Sequence, residues 1–397
     1  MRKQHIVLIA TILCNTCSIL AQSWSITEMT PMPMSISNNA VVEAFPNNQP
    51  FVYSFGGIDS TKLFSGITNK SFKYNVLTDT WDTIPSLPDP LTKIAAGASY
   101  VNGKIYIIGG YTVFANGSEV SSNKIHIYDP VADTFMADGV NIPVPIDDHV
   151  QSVYKDSLIY VVSGWSNTTN VKNVQVYDTY LNTWTQATEV PFNEYRIFGA
   201  TGSILGDTIY YFGGTSRFGS FPATNILRKG AIDPTDPSQI TWSFFIPDPT
   251  VFSYRSASSI TNNQLVWFGG SSVSYNFDGI AYNGSGGVSP SNWAITYDPQ
   301  QNSLGTSTPA SGLIPMDLRG IASISDSVKY IVGGMENNQL VSNKTLRLSS
   351  SITTSIRETN SLNGNSVYPN PADNYVFVDN EDGRIKRVAL YLSLIHI

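Results

Sequence analysis

Short apolar runs recur along the chain, and each closes on a pair of small residues. Residues 51–55 run into Gly56-Gly57, residues 105–108 into Gly109-Gly110, and residues 158–162 into Ser163-Gly164. Residues 209–212 lead to Gly213-Gly214, residues 265–268 to Gly269-Gly270, and residues 328–332 to Gly333-Gly334. Runs this short, bounded by glycine and rich in β-branched and aromatic residues, read as buried strands rather than helices. The pairs recur at intervals of 50 to 64 residues. A period near 50 is that of a propeller blade built from four short strands.

A second landmark follows the first five pairs. Tyr74 is followed seven residues later by Trp81, Tyr128 by Phe135, Tyr177 by Trp184 and Tyr297 by Leu304. In the fourth unit Ile232-Asp233-Pro234 stands where the second has Tyr128-Asp129-Pro130, and Trp242 comes ten residues after Ile232, as though one turn carried a three-residue insertion. Asp-Pro between apolar runs marks a turn, because proline presets φ and the carboxylate bonds to the backbone two residues on. Over residues 24–350 this pattern resembles the kelch-repeat family, whose units combine a Gly-Gly pair, a Tyr-Asp-Pro turn and a late Trp. The resemblance implies an all-β, six-bladed propeller.

The sixth unit lacks a clear late Trp. Ser23-Trp24-Ser25 followed by Pro33 matches Thr183-Trp184-Thr185 followed by Pro191, so the N-terminal strand is expected to complete the last blade. That closure leaves no unpaired inner edge. Composition agrees, with 13% charged and 12% aromatic residues, 30 Gly and 22 Pro.

The two ends read differently. Residues 1–21 resemble a secretory signal, with Arg2 and Lys3 before the apolar residues 6–13 and a cleavage point after Ala21. A membrane anchor is the alternative, although Asn15, Thr16 and Ser18 interrupt the apolar stretch. Both cysteines, Cys14 and Cys17, fall in this segment, so the mature propeller (22–350) is expected to hold no disulfide and no cysteine-bound metal. Without Arg2 and Lys3, 21 basic face 30 acidic side chains, a net charge of −9 that argues against nucleic-acid binding. Residues 351–365 form a Ser/Thr/Asn-rich linker. Residues 366–397 open with Tyr368-Pro369-Asn370-Pro371 and carry the apolar strands 375–378 and 388–391. They resemble a partial C-terminal sorting domain of the Bacteroidetes type IX secretion system, which implies the secretion machinery as a partner and a secreted or outer-membrane-surface location. A small appended β-module is the alternative.

In a four-stranded antiparallel blade, the turn leading into the first strand and the turn joining the second and third strands share one face. The lead-in turns hold Lys93, His149, Glu194, Arg196, Arg255 and Arg319, and the second-to-third turns hold Trp165, Phe218 and Tyr275. Arg196, Arg255 and Arg319 are expected at equivalent places near the central channel, with Lys93 and His149 in the same place in two other blades. Arginine forks suit carboxylates and aromatic rims suit sugars, which points to an anionic glycan or acidic peptide as ligand. The alternative is that each arginine braces its own turn.

A non-enzymatic binding module for a glycan or protein is the first reading, with no cofactor and no metal. The kelch resemblance brings a second, a mutarotase or epimerase acting on an acidic sugar, similar to N-acetylneuraminate epimerases. Glu194, Arg196 and His149 are its candidate acid–base residues. Copper radical oxidases of the same family need a cysteine cross-linked to tyrosine, which a mature chain without cysteine lacks.

Overall fold

The computed structural model describes residues 23–351 except 192, 193 and 218, together with the short strands Ser366–Tyr368 and Phe377–Asp379. The chain divides into two units, Met1–Ile352 and Thr353–Ile397. The first is a six-bladed propeller of antiparallel sheets. Among the described residues its helical content is three 3-10 turns.

Blade 1 runs through Ala40–Ala44, Phe51–Phe55, Ser71–Asn75 and Thr80–Ile84, and blades 2 to 5 repeat that order from Ile94 to Ser307. Blade 6 takes Ala322–Ser325, Val328–Val332 and Thr345–Ser351 from the C-terminal side. Its outermost strand is Ser23–Met29, which pairs along its whole length with Thr345–Ser351. Trp24 is buried there with its ring edge-on to Phe268 of blade 5 at 4.8 Å, so the expected closure is what the fold contains.

The aromatic landmark has a local cause. Tyr74 lies directly across the last hairpin from Trp81, Tyr128 from Phe135, Tyr177 from Trp184 and Tyr297 from Leu304. Each tyrosine hydroxyl donates to the residue five positions on: Asp79, Asp133, Asn182 or Asn302. Those four residues have φ of 51–55°, the left-handed region that Asp and Asn tolerate. The hydroxyl thus fastens a turn that the backbone alone would leave strained. Blade 4 departs from this scheme. Its last hairpin is longer, Ile240 faces Ile232, a bulge follows at Asp233, and Trp242 sits opposite Gly230.

The glycine pairs join each blade to the next. The N–H of the second member donates to a carbonyl in the following lead-in segment: Gly57 to Lys93, Gly110 to Ile146, Gly164 to Ile197, Gly214 to Ser253, Gly270 to Pro315 and Gly334 to Ile36. A Cβ on Gly109, with φ +69°, would stand 2.3 Å from the Ile146 carbonyl oxygen. Only glycine permits that approach.

A second set of backbone bonds closes around the axis. Ala95 N–H donates to Asn38, Asp148 to Ala95, Gly199 to Asp148, Arg255 to Gly199, Leu318 to Arg255, and Asn38 to Asp317. Asn38, Ala95, Asp148, Gly199, Arg255 and Asp317 all have φ between 47° and 67°. They are the structurally equivalent residues of the six lead-in turns.

In the second unit, Ser366–Tyr368 pairs antiparallel with Phe377–Asp379. Of the expected linker 351–365, Ser351 ends the blade 6 strand, and its other residues, together with the signal-like residues 1–21 and the expected strand 388–391, lie outside the described residues.

Candidate functional site: an ion cluster between two chambers

The lead-in turns carry their charges to the axis. Arg255 forks onto Asp148, with Nε donating to Oδ1 at 3.2 Å and Nη2 to Oδ2 at 2.5 Å, while Nη1 donates to Asp317 Oδ1 at 2.9 Å. Arg319 Nη2 donates to the His149 carbonyl at 2.8 Å, and its Nη1 lies 3.5 Å from Asp148. All of these side chains are buried. Burial opposes the charge on Arg255, but Asp148, Tyr254 and Asp317 outweigh it and hold the guanidinium protonated well beyond its ordinary range. Burial lowers the Arg319 pKa, with Arg255 adding repulsion against the pull of Asp148. Burial raises that of Asp317, against the pull of Arg255. Buried pairs of this kind hold together only when both partners remain.

The expected equivalence of the cations does not hold. Arg255 occupies the left-handed lead-in position, and its counterparts in other blades are Asp148, Asp317, Asn38, Ala95 and Gly199. Arg319 and His149 fall one or two residues past that position, and Arg196 and Lys93 two or three before it. That shift leaves Arg319 and His149 at the axis and sends Lys93 and Arg196 elsewhere. Lys93 is buried between Asp89 at 2.6 Å, Ser122 at 3.1 Å and His126 at 3.2 Å. Burial lowers its pKa, with Asp89 pulling the other way. Arg196 is half-buried in a separate recess with Arg217 and Asn170. Glu194 is exposed, and no ion pair joins it to Arg196 among the described residues. Phe218 lies outside the described residues.

On the lead-in face, the cluster forms the floor of a cavity of about 200 Å³. Its walls are Tyr111 of blade 2, Trp165 of blade 3, Phe198 and Phe221 of blade 4, and Tyr282 of blade 5. The rings meet edge-on or tilted, Trp165 with Phe198 at 5.3 Å and Phe221 with Tyr282 at 4.9 Å. Trp165, Phe221 and Tyr282 keep part of their surface open to solvent. Glu119 and Asp147 add two carboxylates. Asp147 Oδ2 accepts from Ser121 Oγ at 2.5 Å, and burial together with the neighbouring Asp148 raises its pKa well above the usual range. Tyr275 does not line this cavity. It is buried beneath, edge-on to Tyr254 at 5.1 Å and 5.7 Å from the Arg255 guanidinium.

Beyond the cluster lies the second chamber, a central channel of about 260 Å³ lined by the first strands of the blades. Gly97, Ser99, Gln151, Thr201 and Gly202 face it, with His149 and Arg319 at the cluster end. His149 Nε2 and Gln151 Oε1 lie 2.9 Å apart, and Gln151 Nε2 donates to Ser99 at 2.8 Å. Burial and Arg319 push the His149 pKa down to about 4, so the ring is neutral at pH 7. His149 thus belongs to the channel wall, away from the aromatic cavity.

The sequence reading missed Glu119, Asp147, Asp148 and Asp317 as members of the site. The signal was the acidic pair Asp147-Asp148 in one lead-in turn and Asp317 in another, carboxylates placed to meet arginines from neighbouring turns.

Six blades, glycine-pair stitching and an N-terminal closing strand define a kelch-type propeller. The chain belongs to the kelch-repeat family: residues 14–214, about half of its length, match the KLHDC2/KLHL20/DRC7 Kelch-repeats domain. It is 26% identical over 205 residues to the Kelch-like protein terF of Aspergillus terreus, across 50% of this chain and 42% of that one. It is 26% identical over 117 residues to N-acetylneuraminate epimerase 1 of Escherichia coli, across 27% of this chain and 30% of that one. The chain therefore spans less than half the length of these curated relatives. The solved structure described as YjhT superposes with a TM-score of 0.63 at 14% identity, over 89% of this chain and 99% of that one, a likeness of fold alone.

Proposed function

We propose that this chain is a secreted or cell-surface binding module, without catalysis, that takes a glycan or protein ligand on its lead-in face. The observation that carries the reading is the cavity walled by Trp165, Phe198, Phe221 and Tyr282 above a rigid ion cluster. Aromatic walls with a few fixed polar groups are the usual makings of a ligand site. Kelch-repeat membership supports a protein partner. The anionic ligand expected from the arginines finds less support, because Asp148 and Asp317 already occupy the Arg255 fork. The test is a titration of glycan and peptide panels followed by Trp fluorescence, with Trp165→Ala and Tyr282→Ala alongside. Loss of binding in both variants, with unchanged melting, supports the site. Ligands that bind both variants as well as the parent protein overturn it.

The location rests on the signal-like residues 1–21 and on Tyr368-Pro369-Asn370-Pro371. Cell fractionation should find the protein outside the outer membrane. Intact chain in the cytoplasm would refute this.

A second reading, an epimerase or mutarotase on an acidic sugar, is favoured by the similarity to N-acetylneuraminate epimerase 1. Anomer exchange of a sialic acid followed by NMR tests it. A rate that Glu194→Gln and Arg196→Ala leave unchanged would remove those residues from any such role.

A further inference from the structure

The carboxyl groups around the cavity outnumber the guanidinium groups. Glu119, Asp147, Asp148 and Asp317 bring four carboxylates, whereas Arg255 and Arg319 bring two guanidinium groups. Asp148 and Asp317 are consumed by Arg255. The surplus is therefore Glu119 and Asp147, the two that face the aromatic walls. Asp147 is 3% exposed, and its Oδ2 is held by Ser121. Its Oδ1 forms no hydrogen bond among the described residues, although Asp147 lines the cavity. Oδ1 is therefore the oxygen left open to a ligand in the cavity, and a carboxyl group this shielded from bulk water favours a cation or a proton beside it.

The faces of aromatic rings attract cations, most strongly where water is excluded. A ligand that fits both features has an apolar stem to lie against the rings and a positive head to reach the carboxylates. Lysine has that shape, since its methylene stem packs on apolar surface while its ammonium donates three hydrogen bonds. We infer that the cavity above the ion cluster receives a lysine side chain of a protein partner, its stem between Trp165 and Tyr282 and its ammonium at Glu119 and Asp147. This rests on the binding-module reading and narrows it to a cationic partner, the opposite charge from the one that the arginines suggest in sequence.

The test uses the full chain and two probes that share a four-carbon stem, Nα-acetyl-lysine amide and Nα-acetyl-norleucine amide, which lacks the ammonium, with glucosamine as a third. Binding is read by Trp fluorescence and by NMR titration. The lysine probe should bind at least tenfold more tightly than norleucine, and the preference should shrink with added salt. Glu119→Gln, at an exposed rim position, should reduce that preference severalfold without changing the melting temperature. Trp165→Ala should weaken both amides. Equal binding of lysine and norleucine would overturn the charge assignment while leaving the aromatic site standing. Preference for glucosamine would overturn the lysine assignment in the same way. If none of the three binds, and no glycan or peptide in the wider panels responds to Trp165→Ala, the binding site itself is refuted.

Discussion

The two chambers on either side of the ion cluster are built from the same six repeats, yet they have opposite characters. The channel is walled by first strands, where Gly97, Ser99, Thr201 and Gly202 let six blades crowd the axis. The lead-in cavity is walled by strand ends and the turns beyond them, which differ in length and sequence from blade to blade and bring rings and carboxylates. Small residues recur where the first strands crowd the axis, whereas the strand ends and turns beyond them are freer to carry chemistry. The cluster between them is polarised in the same sense, with the surplus carboxylates Glu119 and Asp147 toward the cavity and Arg319 toward the channel.

The sharpest way to break this comparison is to remove the divider. Arg255→Met leaves Asp148 and Asp317 buried without their partner and should cost about 3–5 kcal/mol in urea denaturation, as for other broken buried pairs. Adding Asp148→Asn should recover part of the loss. A cost below about 1 kcal/mol, the scale of an exposed pair, would show that the cluster does not hold the axis.

Next comes a change confined to the channel. A Cβ at Gly97 would stand 2.4 Å from Gln151 Oε1 and 2.9 Å from His149 Nε2. Gly97→Ala should destabilise by about 1–3 kcal/mol through overpacking and leave ligand response in the cavity unchanged. A loss of binding equal to that in Trp165→Ala would show that the chambers are not separate.

The pH dependence of stability should differ in sign between the two sides. The His149 pKa lies at about 4 in the folded chain against about 6.5 unfolded. Its contribution is therefore full above about pH 6.5 and lost as pH falls toward 4, and His149→Gln should remove that acid-side slope. Asp147 is raised instead, so its contribution is full below about pH 4 and lost as pH climbs through the raised value. Asp147→Asn should accordingly raise the melting temperature most at neutral pH, and a fall there would contradict the uncompensated burial of that carboxyl. The smallest effect belongs to Arg196→Ala, expected within about 0.5 kcal/mol because the side chain sits in neither chamber.

The repeat was legible because glycine pairs and cross-hairpin aromatics are local demands that each blade must meet alone. Trp24 was legible for the same reason, since it had to supply a side chain that the sixth blade lacked. The site was legible only in part. Trp165 lines the cavity, and Arg255, Arg319 and His149 do come together, but Lys93, Arg196 and Glu194 do not join them. The error lay in aligning turns by their cations. The equivalent residues share a left-handed backbone rather than a side-chain type, and Asn, Ala, Asp, Gly and Arg all occupy that place. A shift of one to three residues then carries a charge from the axis to a blade flank. The acidic partners went unread because pairing between distant turns depends on the closed ring, which no single turn encodes.

The backbone bonds that circle the axis have a consequence in time. The amides of Asn38, Ala95, Asp148, Gly199, Arg255 and Leu318 each depend on a carbonyl in a neighbouring blade. None of them can reach solvent by the fraying of one hairpin. Deuterium should therefore enter all six together, at the pace of whole-ring opening, while amides of the outermost strands exchange orders of magnitude sooner. At high pH, where exchange outpaces reclosing, mass spectra of peptides spanning the lead-in turns would then show two isotopic populations, closed and opened, with few molecules between. The isotopic clock of the axis would be common to all six blades, including the one completed by the N-terminal strand.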